Sequence, residues 1–556
     1  MAFLGIGLCC TTLLWSQDIA EIKKQKPLEW RAGLSLGSNF STTNTNFPTT
    51  SPFGYYINAN ANIAIYGFKI PMSVSFRDQQ LNYTKPMYRL GMSPSYKWAK
   101  FYIGHSQMLF SNYTLTAMTF KGGGIALSPG KFRFSAMVGS LESPRALLDS
   151  INGNHTYIKP YNRLGIGGKI GIGSSRNYID LIVFNAKDRA RFKEVPDIIF
   201  AKRAENTVMG IQSSVSLFKR LITLVLNTGA SVYTANQNAA DIEVGDKEQN
   251  YYDWGSKIMT INNSTRVNFA GDASLQFNFG NYQIGAKYQY IDPLYSSLGA
   301  YYFRDDNENY TIDGGASLWQ GKLSFNGSFG LQQNNVRGHR SLTSVQKIYD
   351  ASINLIPNKF FGLSAQYSNF NFDQVSGIVQ INDSLKYGQI NSNISISPYI
   401  SFGNKNIKQT ISLNYSLQSI LDLSLDEALG QNADVTMASI NHTFQHKPNA
   451  FSIHTSLQYM TSEYATIQNG RYGMYISGTK RWLTNKLQTR LQINYNKNVL
   501  DQVADGNQYG FNSGIQWKLT HKSQLSFSLN YIDRNAVKGK SYQEWRGNTS
   551  LNYQLK

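Results

Sequence analysis

The stretch "VNFAGDASLQFNFGNYQIGAKYQY", residues 267–290, decides the architecture. Val267, Phe269, Ala273, Leu275, Phe277 and Phe279 fall on odd positions, with Asn268, Asp272, Ser274, Gln276 and Asn278 on even ones. After Gly280-Asn281 the alternation resumes, placing Tyr282, Ile284, Ala286, Tyr288 and Tyr290 against Gln283, Lys287 and Gln289. Period-two alternation on both sides of a Gly-Asn pair specifies a β-hairpin with one apolar and one polar face. Its arms run to about a dozen residues, roughly twice the usual globular strand of about 5–6. Hairpins of that length, apolar along one whole side, call for an apolar solvent on that side.

The same rhythm recurs along the chain. Leu323, Phe325, Phe329 and Leu331 alternate with Ser324, Asn326, Ser328 and Gln332, and Ile394, Ile396, Ile400 and Phe402 follow suit. Near the end, Phe511, Ile515 and Trp517 answer Leu525, Phe527, Leu529 and Tyr531 across "THKS". The runs add up to an all-β chain of about 26 strands, within a range of about 22 to 28, from near residue 28 to near residue 543. The sixth strand is expected from about residue 115 and the twenty-fourth from about residue 507. Composition agrees: 35 Tyr, 30 Phe and 46 Gly against 14 Pro favour strands and tight turns. No stretch reaches the roughly 20 apolar residues that a spanning helix needs. A mean hydropathy of -0.34 does not exclude a membrane barrel, because alternation cancels in the average.

Connections alternate short and long. Short ones include 128–131, 173–177, 219–220, 280–281, 319–322, 357–359, 403–406, 446–449 and 520–523, and long ones include 142–161, 188–205, 235–264, 292–309 and 370–387. The short set carries Lys131, Arg176, Lys219, Arg220, Lys322, Lys359, Lys405, Lys447 and Lys522 and no acid. Such a sorting is expected of a transmembrane antiparallel β-barrel with short periplasmic turns, long extracellular loops and a basic collar facing anionic headgroups. Backbone in hydrocarbon must find all its hydrogen bonds within the protein, so the sheet closes, the apolar parity meets lipid and the polar parity lines a lumen. On that parity the inward bases are Arg31, Arg89, Arg133, Arg163, Lys169, Lys287, Arg490, Lys518 and Arg546, against the acids Asp272, Asp313, Asp350 and Glu544.

The opening "MAFLGIGLCCTTLLWSQ" reads as a signal peptide over residues 1–16, with an incomplete basic start. Residues 17–27 then form a short periplasmic segment and 28–556 a single barrel, without a separate plug domain. Both cysteines, Cys9 and Cys10, fall in the signal. From the signal ending at "WSQ", the Tyr/Asn-rich amphipathic strands and the alternating loop lengths, the chain resembles large outer-membrane β-barrels of Bacteroidota-type bacteria. That resemblance implies O-glycosylation at Asp-Ser-apolar triplets, here Ser150 and Ser384, and contact with outer-membrane lipid and lipopolysaccharide.

Twenty-six strands about 4.8 Å apart and tilted near 40° close on a circle about 50 Å across. Something must narrow it; the expected candidates are the loops 235–264 and 188–205 folding inward, a partner in the lumen, or a flattened barrel. No nucleophile elbow, zinc-protease motif or paired-carboxylate cluster is present. His442 and His446 sit at a strand end and its turn, and "GKIGIG" (168–173) and "KGGGIALSPG" (121–130) lie in strands, so no catalytic site, metal, cofactor or nucleic-acid partner is expected. The first reading is a conduit for small anionic or polar solutes, gated or narrowed by inward loops. The alternative is a non-enzymatic accessory subunit of an outer-membrane secretion, insertion or surface-display complex, with its lumen plugged by loops or by a protein partner.

Overall fold

The structure, a computed structural model, describes residues 26–44, 52–78, 87–116, 118–143, 145–148, 155–159, 161–190, 202–243, 249–300, 304–376, 388–423, 432–464, 467–537 and 540–555. The expected signal peptide, Ser150 and Ser384 lie outside them.

The hairpin at 267–290 forms as Thr265–Phe279 and Tyr282–Ile291, paired directly across Gly280-Asn281, with Phe279 opposite Tyr282. Each strand pairs antiparallel with its chain neighbours, and the first, Leu28–Thr43, pairs with the last, Tyr542–Leu555, over twelve positions from Ala32–Leu555 to Thr43–Glu544. The sheet is therefore closed. Of its 27 strand segments, Met87–Met92 and Ser95–Tyr96 are one strand interrupted at Ser93-Pro94, giving 26 crossings. The short hairpin Arg145–Leu148 with His155–Lys159 stands apart from the barrel sheet. The sixth crossing begins at Thr119 and the twenty-fourth at Val503, four residues from their expected starts, and the others lie closer.

One parity of every long strand is exposed and apolar. Ile493, Leu491, Leu457, Ile312 and Phe269 are all more than half exposed, while Asn268, Asp272, Asn206 and Asn498 on the other parity are buried. This exposure of large side chains is the reverse of a soluble core and matches a surface bathed in lipid. Two belts bound it. Cross-strand aromatic pairs lie toward the long-loop rim: Tyr288–Tyr310 at 4.9 Å, Phe329–Tyr349, Tyr459–Tyr472 and Tyr495–Tyr509 at 5.2 Å, and Tyr531–Trp545 at 4.3 Å. At the short-turn rim Phe218, Trp319, Phe360, Trp482 and Leu483 protrude. Three of those turns share one build, with consecutive left-handed residues at 218–220, 319–321 and 483–485, so that the first residue of each points outward. From Trp482 to Tyr472 the chain runs ten residues along one strand, about 25 Å of height at a 40° tilt, which is the apolar band of a bilayer-spanning barrel.

The rims differ less regularly than the sequence suggests. The short-turn rim is uniform, but the long-loop rim shortens to a two-residue turn, Asp501-Gln502, both left-handed.

Replacing Leu491, at mid-height on the outer face, with Arg should cost about 2–4 kcal/mol in urea unfolding from a bilayer or micelle, whereas Asn512→Arg on the inner parity should cost less than about 1 kcal/mol. Equal costs would refute the assignment of faces.

Candidate functional site

The inner wall is not uniform. Nearly all its buried residues come from the first two thirds of the chain, because two segments fold into the barrel there. The first is residues 108–118, between the strands Ala99–Gln107 and Thr119–Leu127, and the second is 292–300, after Tyr282–Ile291. Neither is a loop that the sequence singled out as inward-folding.

Segment 108–118 buries Met108, Phe110, Leu115 and Met118 against Phe120, Met137, Leu141, Ile182, Phe184 and Ala186. The facing strands make room with glycine: a Cβ at Gly167 would meet both Phe110 and Phe184, and one at Gly124 would meet the Met108 sulfur. Ile182, Phe184 and Ala186 are on the inner parity of Tyr178–Ala190, while Ile179, Leu181 and Val183 are on the outer one. That strand is apolar on both faces because it has lipid on one side and a packed segment on the other.

Polar bonds fix the two segments together. Tyr295 Oη donates to Tyr113 O at 2.7 Å, Ser297 Oγ to Thr114 O at 2.5 Å, and Thr116 N to Gly299 O at 3.0 Å. The Tyr113 and Tyr295 rings meet edge-on at 6.3 Å. Tyr113 Oη donates to Asp272 Oδ1 at 2.8 Å and accepts from Gln289 Nε2 at 3.0 Å, while Asn227 Nδ2 donates to Asp272 Oδ2 at 3.1 Å. Asp272 is thus a buried carboxylate stabilised by neutral donors. Burial, ahead of that carboxylate's charge, pushes the Tyr113 hydroxyl well above its ordinary value, so it remains a donor. Segment 292–300 is latched to the next loop, where Arg337 grips Asp292 with Nε at 2.9 Å and Nη2 at 2.7 Å.

The expected inward bases divide into two groups. Arg133 binds Asp180 bidentately at 2.7 and 2.9 Å, and Lys169 reaches the same carboxylate at 3.6 Å. Arg163 binds Asp188 at 2.8 and 3.1 Å and Glu142 at 3.3 Å. Arg546 pairs with Glu544 at 2.7 Å. These form a structural lattice rather than a free wall charge. Arg31, Arg89, Lys287, Arg490 and Lys518 make no ion pair among the described residues, and neither do Asp313 and Asp350; Arg490 Nη2 donates to Gln492 Oε1 at 3.1 Å. Arg31, Lys518 and Lys522 line adjoining hollows near the closing seam, with Asn60, His521 and Asn552. Arg471, not singled out from sequence, binds Asn498 on the inner parity at 3.1 Å. Its neighbours Tyr472 and Met474 are exposed on the other face, so parity alone places it inward.

Loop 235–264 lies on the rim. Thr260 N donates to Glu205 Oε2 and Thr234 Oγ1 to Thr260 O, at 3.2 and 2.6 Å, while Lys187 pairs with Glu205 at 2.7 Å. Lys187 and Glu205 share the parity of outward Val183 and Met209, and the loop's helix Gln249–Ser256 leaves Trp254 exposed. This corrects the expected inward course of 235–264; residues 191–201 of the other candidate lie outside the described set. His442 Nε2 meets Gln409 Oε1 at 3.0 Å and His446 Nδ1 accepts from Asn449 N at 3.3 Å, so the two rings engage separate partners.

No family model and no curated protein matches the chain. Among solved structures it is similar to OccAB2 of Acinetobacter baumannii, at 9% identity and TM-score 0.31, covering 68% of this chain and 98% of that one. It is similar also to the FrpB iron transporter of Neisseria meningitidis, at 8% and 0.38, covering 94% and 81%. The PapC-PapD-PapK-PapG P pilus tip assembly intermediate of E. coli matches at 10% and 0.43, covering 93% of this chain and 60% of that one. The resemblance is to large outer-membrane β-barrels as a class and to no specific family.

Tyr113→Phe should destabilise by about 1–3 kcal/mol, because Asp272 loses a buried donor, and Phe110→Ala by about 3–5 kcal/mol through the cavity it leaves. Both are read by denaturant unfolding in detergent. Burial pushes the Asp292 carboxyl up, but Arg337, the Phe269 amide and Tyr290 together hold it below its ordinary value. Its folded value being the lower one, the stabilisation is complete above about pH 4 and disappears as pH falls through the folded value. Protease nicking at 292–300 should therefore stay flat from about pH 8 to pH 5 and rise only below about pH 4.

Proposed function

We propose that the chain is an outer-membrane conduit for small polar solutes that favours anions, narrowed along one wall by segments 108–118 and 292–300. The observation that carries this reading is a closed barrel on whose inner wall, among the described residues, Arg31, Arg89, Lys287, Arg471, Arg490 and Lys518 stand without ion pairs, as do the acids Asp313 and Asp350. Inside a low-dielectric tube an uncompensated positive wall concentrates anions. The described short turns add Lys131, Arg176, Lys219, Arg220, Lys322, Lys359, Lys405, Lys447 and Lys522 without an acid, a collar suited to the anionic periplasmic leaflet. The inward segments, held by the Tyr295–Tyr113, Ser297–Thr114 and Arg337–Asp292 bonds, act as a fixed constriction rather than a gate. No catalytic role is included: the buried carboxylates Asp180, Asp188 and Asp272 are all bound to structural donors.

The lumen's width supports a second reading. A circle about 50 Å across, narrowed along part of its wall, leaves room for a partner protein or its inserted segment. The accessory subunit of a secretion, insertion or display complex would use that space.

Planar-bilayer recordings across a KCl gradient test the first reading. The reversal potential should show anion preference, and Arg490→Gln with Lys518→Gln should move the anion-to-cation permeability ratio toward one. Cation preference would overturn the charge assignment. Silent bilayers, with a protein co-purifying in mild detergent, would favour the accessory role.

A further inference from the structure

Several unpaired bases gather at one place. The last four strands, from Leu487–Leu500 to Tyr542–Leu555, continue across the closing seam to Leu28–Thr43, and their short-turn ends carry Lys486, Lys518, Lys522 and Arg31. Lys518 N donates to Lys486 O at 2.7 Å, and Gln554 N to Lys522 O at 2.5 Å. Lys486 therefore lies directly beside Lys518, and Lys522 beside the final strand. On the inner parity Lys518 stands opposite Gln524, Gln524 opposite Asn552 and Asn552 opposite Ser35, so neutral amides fill the row between the bases.

One step up the wall the side chains are small. Arg490 stands opposite Gly514 and Gly514 opposite Ser528, with Ser526 and Ser550 on the adjoining pairs. A Cβ at Gly514 would meet nothing nearer than 4.0 Å, so the glycine leaves space beside Arg490 rather than serving packing. Three hollows adjoin here, containing Arg490 and Gly514 in one, Lys486 and Lys518 in the next, and Arg31 and Asn60 in the third. The last two share His521, Lys522, Asn552 and Gln554. No acid lines any of them among the described residues. Glu29, two residues before Arg31, is engaged by Lys26 at 3.1 Å. Like charges on adjoining strands repel, so the fold bears a cost at Lys486 and Lys518 that a bound anion removes.

We propose that this recess at the short-turn end of the lumen binds an extended anion carrying two or more phosphate groups. From the strand of Arg490 to that of Arg31 is four interstrand steps, about 19 Å at about 4.8 Å each, far wider than a single phosphate. A phosphate group presents more acceptor oxygens and more charge than a carboxylate, which suits a wall of Lys, Arg, Asn and Gln donors with no acid among them. The inference deepens the anion-preferring reading and rests on its inward placement of these bases, but it requires a localised site where that reading requires only a net field.

The test measures binding to the full chain in a neutral maltoside detergent at low ionic strength, by calorimetry, with inorganic tripolyphosphate and orthophosphate as probes. Tripolyphosphate should bind at least about tenfold tighter than orthophosphate, and Arg31→Gln/Lys522→Gln should weaken it at least about tenfold. Lys219→Gln/Arg220→Gln, which removes the same charge from a short turn far around the rim, should leave it within about twofold. Equal affinity for the two probes, or equal loss in both variants, would overturn the site. Anion preference in bilayers alongside that result would leave the conduit reading standing without it. If the Arg31/Lys522 variant fails to fold, lysine acetylation of the unaltered chain decides. Tripolyphosphate should slow labelling of Lys486, Lys518 and Lys522 at least about fivefold and leave Lys219 and Lys359 unchanged, whereas uniform labelling would rule the site out.

Discussion

A peptide group in hydrocarbon has no water to bond with, and this one fact organises the molecule. It forces each strand to pair on both sides, which forces Leu28–Thr43 onto Tyr542–Leu555 and closes the sheet. Closure then fixes inside and outside, so a single parity decides whether a residue meets lipid or lumen. Leu491 and Gln492 are neighbours in the chain yet face different solvents. The aromatic belts, the protruding Phe218, Trp319 and Leu483, and the shape of the three turns that present them follow from where that hydrocarbon ends.

The interior obeys a second economy. A wide barrel cannot fill itself with side chains from its own strands, and this one uses segments 108–118 and 292–300 to build a small apolar core against one wall. Around that core the charges are neutralised, as in Arg133–Asp180–Lys169 and Arg163–Asp188–Glu142, since a buried charge without a partner is costly. Farther along the wall Arg490 and Lys518 are exposed rather than buried, and they stand without acids among the described residues. Packing therefore concentrates on one side of the inner wall, where buried charges are paired.

How much of this the sequence discloses depends on which physical rule applies at each place. The pleat imposes period two on any strand between lipid and water, so the hairpin around Gly280-Asn281 and its register could be read directly. Segment 108–118 escaped because "MLFSNYTLTAM" resembles the start of a strand, which put the sixth strand four residues early. A signal was nonetheless present in the facing strand, where "DLIVFNA" is apolar on both parities and so must be covered on both sides. Loop 235–264 misled by its length, which says that a loop can reach the lumen but not that it does; its bonds to Glu205 and Thr234 keep it on the rim.

The closing seam also sets an order of events in time. Ala32 and Leu555 are partners, so the earliest-synthesised strand waits for the last before its second edge is covered. Bringing together ends separated by more than five hundred residues costs on the order of 5–6 kcal/mol in chain entropy before any closing bond forms. Throughout that wait an apolar, unpaired edge is available for wrong partners in aqueous surroundings. Biogenesis of such a chain thus calls for a holder that shields the nascent edge and a catalyst that delivers both ends to the bilayer together.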